Sequence, residues 1–275
     1  MDNWILLFGA FLGTSSSLGA AVTFASEDWV STPGGLRPRS SVIEVRSGEV
    51  FPVDSGENKG HAAVNSQGWI SYSSWTAPPG KPIQRFVTRW SVPNEPARKE
   101  NQLIYLFNGI MNVKHTTILQ PVLQWGVSPA GGGGYWAVAS WFVNLKGETF
   151  HTPLIRVQPG EVLTGVMTLI EDSDSKFSYV SEFDGIPKTV LRVHEIEELR
   201  EATETLEAYR VHECTAYPVG TTAFSDISLE LPNGLPSLLW TVRDRVTNCG
   251  QHVTVVSDSA TNGDVELSYG SSNDE

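Results

Sequence analysis

From residue 69 onward the sequence is a succession of short runs rich in β-branched and aromatic residues, each closed by a turn signal. Clusters such as Pro159-Gly160-Glu161 and Pro232-Asn233-Gly234 supply those signals. Within the run Val162–Leu169, residues alternate between two faces, as in a strand with one buried side. Short strands at this spacing are typical of antiparallel sandwiches and barrels. The prediction is an all-β chain with a two-sheet antiparallel β-sandwich.

Residues 66–270 are predicted to form this β-sandwich as one domain, because all-β domains of 200–250 residues are common and 40% apolar residues suffice for a core. The predicted strands are Val42–Val45, Trp69–Trp75, Gln84–Val92, Gln102–Asn108, Thr116–Trp125, Tyr135–Val143, Leu154–Val157, Val162–Ile170, Lys176–Phe183, Ala223–Leu231, Leu238–Val242, His252–Ser257 and Val265–Tyr269.

The segment His194–Tyr209 departs from the strand pattern. Its apolar residues recur at near-helical spacing among good helix formers, so a short helix near 195–200 is predicted. From Thr203 onward, the same residues also fit a strand whose one face carries Thr203, Thr205 and Glu207. Both interpretations of the second half remain open.

The N-terminus contains an apolar run, Trp4–Leu12, which is too short to span a bilayer as a helix. It resembles the hydrophobic core of a secretory signal, so residues 1–25 are predicted to be a signal peptide and the protein to be secreted. The absence of Lys and Arg before Arg37 instead fits an N-terminal core strand or a disordered tail. Residues 26–65 are interpreted as a leader, pro-segment or arm, and residues 271–275 as a disordered tail. No membrane span is expected after signal removal.

Charge and cysteine content exclude several functions. The net charge of −12 would repel nucleic acid, so no nucleic-acid partner is expected. The six histidines show no metal-ligand spacing, and Gly131–Gly134 lacks the Lys of a phosphate loop, so neither a metal nor a cofactor is expected. In an exported protein, Cys214 and Cys249 would form a disulfide, the alternative being two buried thiols. A monomer is expected.

The segment Ile118–Trp125 is the most informative for function. On a strand, Gln120 and Gln124 share one face, while the other face is thoroughly apolar. Two aligned amides are either solvent-facing or form the floor of a binding groove, because buried amides need partners. Pro121 cannot donate to a central ladder, so a bulge or an edge strand is predicted there.

Glu207 and Glu213 are candidate partners for those amides. They are six residues apart and would share a side if this segment were a strand. Their apolar and aromatic neighbours would raise a carboxyl pKa by desolvation. A carboxyl that activates water beside an amide that binds an oxyanion is a workable catalytic pair. The alternative is that both glutamates lie on an exposed helix face.

The order of these motifs resembles that of the eqolisin, or glutamic peptidase, family. The resemblance covers roughly Gln84 to Leu231, a little over half of the chain. The matching segments are FVTRWSVP at 86–93, Phe107–Ile110, Ile118–Gln120, the Trp-rich YWAVASWF, Val157–Val162, a Glu-bearing strand and Ala223–Ile227. It implies a concanavalin-like or jelly-roll sandwich and an acid peptidase without a cofactor.

The resemblance also implies site residues. Its catalytic glutamine falls on Gln120, and its catalytic glutamate on either Glu207 or Glu213. Acidic groove residues of the family are replaced here by Met111, Gln124 and Ser140, which would change substrate binding.

The first functional hypothesis is therefore a secreted acid endopeptidase-like hydrolase that binds a polypeptide. The predicted substrate-binding residues are Asn108, Gln124, Trp125, Ser140 and Trp141. The alternative is a non-catalytic glycan-binding module on the same sandwich, with sugar rings stacked on Tyr135, Trp136 and other aromatic residues of these strands.

Overall fold

A computed structural model describes residues 29–32, 35–38, 41–46 and 68–270. The predicted signal peptide 1–25 and tail 271–275, together with much of the predicted leader 26–65, lie outside the described residues.

Eighteen strands make up nearly all the regular structure of the described residues, and Cys214–Ala216 forms a 3₁₀ turn. They are β1 Trp29–Thr32, β2 Gly35–Pro38, β3 Val42–Arg46, β4 Trp69–Thr76, β5 Arg85–Ser91, β6 Leu103–Met111, β7 Ile118–Ser128, β8 Gly131–Val143, β9 Thr149–His151, β10 Ile155–Arg156, β11 Val162–Ser173, β12 Lys176–Phe183, β13 Val190–Ile196, β14 Glu201–Tyr209, β15 Thr221–Glu230, β16 Thr241–Asp244, β17 His252–Ser257 and β18 Gly263–Ser268.

Two eight-stranded sheets face each other. Sheet I has the order β10-β8-β7-β6-β14-β4-β16, with β9 paired to β8, and sheet II has the order β17-β18-β15-β5-β11-β12-β13-β3. Within the two sheets every pairing is antiparallel except that of β13 with β3. The predicted two-sheet antiparallel β-sandwich is confirmed.

The core between the sheets follows from the alternation along the strands. On β11, Leu163 and Met167 are buried in it, while Val162 is half exposed on the other side, as predicted. The ring of Trp90 on β5 stacks on Phe224 of β15 at 5.1 Å between centroids. Burial of apolar side chains from both sheets stabilises the sandwich by roughly 25 cal/mol per Å² removed from water.

The predicted helix near 195–200 is wrong. Strand β13 continues to Ile196, and the next four residues are an irregular crossover from sheet II to sheet I. Leu199 is fully buried there, its N–H donating to the Tyr179 hydroxyl and its C=O accepting from Ile83 N–H. These tertiary contacts use the backbone groups that a helix would need, and so outweigh the local helix propensity.

The prediction of an edge or a bulge at Pro121 is also wrong, since β7 lies inside sheet I between β6 and β8. The β7–β8 ladder is continuous through Pro121 and Ser140. On the β6 side, the pairing is interrupted between Phe107↔Val122 and Ile110↔Leu119, with no change of register. The missing N–H of Pro121 is therefore accommodated by a local gap between β6 and β7.

The strand predicted at Val42–Val45 within the leader is part of the sandwich. As β3 it pairs in parallel with β13, where Val42 lies opposite Val190 and Val45 opposite Val193. Val45 is buried in the main core. This short segment is therefore an edge strand of sheet II.

The predicted disulfide between Cys214 and Cys249 is present. It closes a loop across 35 positions and links the 3₁₀ turn after β14 to the segment before β17. In the chain-entropy description, a cross-link of that span lowers the entropy of the unfolded chain and stabilises the fold by about 4 kcal/mol.

Replacing both cysteines by serine is expected to lower the free energy of unfolding by about 2–5 kcal/mol, through loss of that cross-link. Urea unfolding followed by tryptophan fluorescence measures it, and reduced wild-type protein serves as the control. Equal midpoints for oxidised wild type, reduced wild type and the double variant would contradict the expectation.

Among the described residues there is no helix with the length and hydropathy needed to cross a membrane.

Candidate active site

The face of sheet I that points away from sheet II, here called the outer face, carries the predicted glutamines. The alternation of β7 puts Gln120 and Gln124 on the outer face, and Leu119 and Leu123 in the core between the sheets. On β14, the same alternation puts Glu201, Thr203, Thr205, Glu207 and Tyr209 on the outer face. The strand interpretation of the segment from Thr203 is thus confirmed.

Gln120 is buried on this face. The side chain is 1% exposed, and neither Oε1 nor Nε2 has a hydrogen-bond partner. Along the row, Gly109 separates it from Thr203, and a Cβ at position 109 would lie 3.5 Å from Gln120 Cβ and 3.4 Å from Thr203 Cγ2. Because buried amides are nearly always hydrogen-bonded, an unpartnered one marks a place where a ligand or water completes the structure.

Glu207 lies in a different row of the outer face, opposite Tyr105 and then Gln124. It is 1% exposed, and its Oε1 accepts a short hydrogen bond from the Tyr209 hydroxyl. Desolvation raises the pKa of Glu207 to about 8, against the opposing effect of the hydrogen bonds from Tyr209 and Trp69. The carboxyl is therefore protonated at acidic and neutral pH while this face stays closed to water.

Gln120 and Glu207 share a face without being neighbours. The registers place Thr203 in the row of Gln120, and Glu207 four residues further along β14. At about 3.3 Å per residue and 4.8 Å between strands, their Cα atoms are roughly 16 Å apart. The intervening row carries Phe107, which is fully buried.

A second carboxyl of β14, which the sequence did not indicate, lies closer to Gln120. Glu201 is two residues from Thr203 on the same face, so its Cα is roughly 12 Å from that of Gln120 by the same arithmetic. Its Oε2 lies 2.7 Å from Nε2 of His115, in the turn between β6 and β7. Because a helix was predicted at 195–200 and the strand only from Thr203, Glu201 was not recognised as a residue of β14.

Glu213, the other predicted catalytic glutamate, is not brought to this face. It follows the end of β14, is exposed, and forms an ion pair with Arg98. Because Glu213 belongs to none of the described strands, it does not share a strand face with Glu207 or with Gln120.

Three of the predicted substrate-binding residues face the core between the sheets instead of the outer face. The core between the sheets contains Trp125, which is 1% exposed. Asn108 Nδ2 donates to the Gly165 carbonyl of sheet II at 3.3 Å, and the Ser181 hydroxyl donates to Ser140 Oγ at 3.1 Å. These contacts join the two sheets, so a ligand over Gln120 cannot touch those side chains.

The other two predicted binding residues share the outer face with Gln120. Trp141 is directly opposite Gln120 on β8, fully buried, with its ring 4.7 Å from that of His151. Gln124 donates from Nε2 to the carbonyls of Gly126 and Gly131, at 2.8 and 3.0 Å, and so holds the β7–β8 hairpin. Trp141 can form a wall of the Gln120 site, whereas Gln124 has a structural role.

A further buried carboxyl lies between the sheets. Glu204 is fully buried and its Oε1 accepts a hydrogen bond of 2.5 Å from the Thr88 hydroxyl of sheet II, while Oε2 has no partner. Desolvation raises its pKa well above the ordinary value, against the smaller opposing effect of Thr88. The described residues contain no group of three or more His, Cys, Asp or Glu that could hold a metal ion.

Comparison with solved structures matches about three quarters of this chain. Scytalido-glutamic peptidase, solved with a peptide-based transition state analogue, superposes with a TM-score of 0.50 and 16% identity over 74% of this chain and 98% of that chain. A second structure of that peptidase, with a transition state analogue inhibitor, gives 0.50 and 15% over the same shares. This chain has the glutamic peptidase fold.

Comparison of the sequence with family models and with curated proteins finds no match.

A third solved structure, of the eqolisin peptidase SCP-B with the tripeptide Ala-Ile-His, covers 74% of this chain and 98% of that chain, with 15% identity and a TM-score of 0.43. At such identities the glutamic peptidase fold is what the likeness shows, and activity has to be argued from the site itself.

Proposed function

We propose that this protein is a secreted hydrolase that cleaves peptide bonds at acidic pH on the outer face of sheet I. The observation that carries the proposal is Gln120, a buried amide with no partner for either polar atom. A carboxyl of β14 on the same face is the second member of the site. The glutamic peptidase fold supports this assignment. The Gln120 amide on β7 and the carboxyl on β14 both belong to sheet I, which holds them on a rigid scaffold.

In the proposed reaction, a β14 carboxylate takes a proton from water as the water oxygen attacks the peptide carbonyl carbon. Gln120 Nε2 donates a hydrogen bond to the resulting oxyanion, which a neutral amide can do without adding charge. The protonated carboxyl then gives its proton to the leaving nitrogen, and the carbon–nitrogen bond breaks. The scheme needs no metal or organic cofactor.

Of the two glutamates that the sequence suggests for that carboxyl, Glu207 is the one that lies on β14. While buried, it is neutral below a pKa of about 8, so it can donate a proton but not accept one. Water entering the outer face would remove the desolvation that raises its pKa, and would produce the carboxylate at lower pH. If Glu207 is the catalytic carboxyl, the opening of the outer face to water is also the step that lowers its pKa and ionises it.

The proposal also includes how the substrate reaches Gln120 and where the protein acts. Because Gln120 is 1% exposed, a substrate reaches it only when the outer face opens. We propose that export, followed by cleavage within the predicted leader 26–65, produces the active form. The Cys214–Cys249 disulfide supports an oxidising compartment.

The glycan-binding alternative loses its main support. Trp125 and Trp136 lie in the core between the sheets, so neither can stack on a sugar ring. Trp141 shares the outer face with Gln120 but is fully buried. Tyr135 is half-buried, and the guanidinium of Arg156 lies 4.7 Å from its ring centroid.

The proposal is tested by incubating protein exported from cells with a reduced, alkylated protein substrate from pH 2 to pH 8. We expect cleavage at acidic pH that is unaffected by chelators and by serine- and cysteine-directed inhibitors. Mass spectrometry of the products and of the enzyme identifies the bonds cut and the mature N-terminus. Intact substrate at every pH, with an enzyme processed within residues 26–65, would contradict the proposal.

A further inference from the structure

A cavity of about 330 Å³ opens on the outer face beside Glu201. Tyr72, Trp75 and Leu239 form part of its lining. Its carboxyl, imidazole, guanidinium and aliphatic hydroxyl groups come from Glu201, His115, Arg243, Ser74, Thr76 and Thr241. These residues come from β14, β4, β16 and the turn between β6 and β7. The cavity is therefore a concave site built across several strands, with polar groups beside aromatic and apolar side chains.

The cavity continues the row that contains Gln120. From Gln120 the row passes over Gly109 to Thr203, then to Ser74 on β4 and Thr241 on β16. Ser74 and Thr241 line the cavity. A peptide that lies across the strands, with its carbonyl at Gln120, would thus extend over Gly109 and Thr203 and into the cavity.

Glu201 meets the requirements of a general base better than Glu207 does. It lines an open cavity, so water can reach it, whereas Glu207 is enclosed by Trp69 and Tyr209. Its Cα is also roughly 4 Å nearer to that of Gln120, from the strand arithmetic above. The two glutamates are six residues apart on β14, roughly 20 Å, so a single scissile bond can use only one of them.

His115 orients the Glu201 carboxyl. The contact of 2.7 Å between His115 Nε2 and Glu201 Oε2 engages one of the two carboxyl oxygens. His115 has a left-handed backbone, with φ of 54°, in a turn where Asn112 side-chain Oδ1 accepts from the N–H groups of Thr116 and Thr117. A histidine held in that conformation by the turn is a pre-positioned partner for the carboxyl.

We infer that Glu201, at the cavity, is the carboxyl that activates water for attack on a peptide carbonyl bound at Gln120. The inference rests on the proposed function and replaces Glu207 in it by Glu201. The cavity then receives the part of the peptide that lies beyond Thr203.

The test compares Glu201→Gln, Glu207→Gln and Gln120→Ala by steady-state hydrolysis of a fluorogenic peptide that the wild-type enzyme cleaves. Glu201→Gln is expected to lower kcat by at least about 100-fold, as loss of a general base does, with KM changed less than about threefold. Glu266→Gln on β18, in the other sheet, is the matched control and keeps wild-type kcat. Thermal unfolding checks that each variant is folded.

The outcomes separate the inference from the proposed function. Loss of kcat in Gln120→Ala and Glu207→Gln, with wild-type kcat in Glu201→Gln, overturns the inference and leaves the proposed function standing. If Gln120→Ala keeps wild-type kcat, the proposed function falls and the inference falls with it. Should Glu201→Gln fail to fold, Glu201→Asp tests the same point, because a shortened carboxyl lowers kcat and leaves KM near its wild-type value.

Discussion

Replacing Gln120 by alanine is expected to lower kcat for peptide hydrolysis by about 10²–10³-fold, the usual effect of removing one oxyanion donor. The reason is that the amide meets no protein partner, so its donors are available to the charge that develops during the reaction. Since that charge is absent from the bound substrate, KM is expected to change little. Initial rates at saturating peptide, at acidic pH, measure the effect.

Gln158→Ala is the matched control, because Gln158 is an exposed glutamine in the turn before β11. It is expected to keep the wild-type kcat. The alanine at position 120 removes a buried polar group that has no partner, so the folded state is not expected to be less stable. An unchanged kcat in Gln120→Ala, with a folded protein, would remove the amide from the mechanism.

The position of Gln120 could be predicted because strand geometry has a period of two. Once β7 is recognised, Gln120 and Gln124 must share a face opposite to Leu119 and Leu123, as the structure shows. The relation between β7 and β14 could not be predicted, since it depends on the register of β6 between them. A shift of two residues in that register would have placed Thr205, not Thr203, opposite Gln120.

The wrong assignment of Asn108 and Ser140 has another physical origin. Polar residues on a strand suggest a solvent-facing side, but both of these bond across the core, to Gly165 and Ser181 of the opposite sheet. The sequence contains no sign of such pairs, because the partners are 57 and 41 residues away. Glu201 was missed for a related reason. The local helix propensity of residues 195–200 hid the start of β14, and the tertiary contacts at Leu199 that outweigh this propensity cannot be seen in the sequence.

The stability of the protein is expected to fall as pH rises from about 4.5 towards 8, because two buried carboxyls must stay protonated. Desolvation raises the pKa of Glu207 to about 8 and that of Glu204 well above its ordinary value. A group with a raised pKa in the folded state binds its proton there while the unfolded chain releases it, so unfolding is favoured as pH rises. Glu207 alone would lower the free energy of unfolding by about 3 kcal/mol between pH 4.5 and pH 7.

Urea unfolding at pH 4, 5, 6 and 7 measures this slope, and the double variant Glu204→Gln with Glu207→Gln is expected to flatten it. Glutamine keeps an acceptor for Thr88 and for Tyr209 but has no proton to lose over this range. Glu213→Gln is the control, since that carboxyl is exposed and paired with Arg98 at the surface, where ion pairs contribute about 0–1 kcal/mol. A wild-type stability that rises between pH 4.5 and 7, or an equal slope in the double variant, would contradict the expectation. A fold that holds its buried acids neutral is most stable in acid, the range in which the proposed hydrolysis would operate.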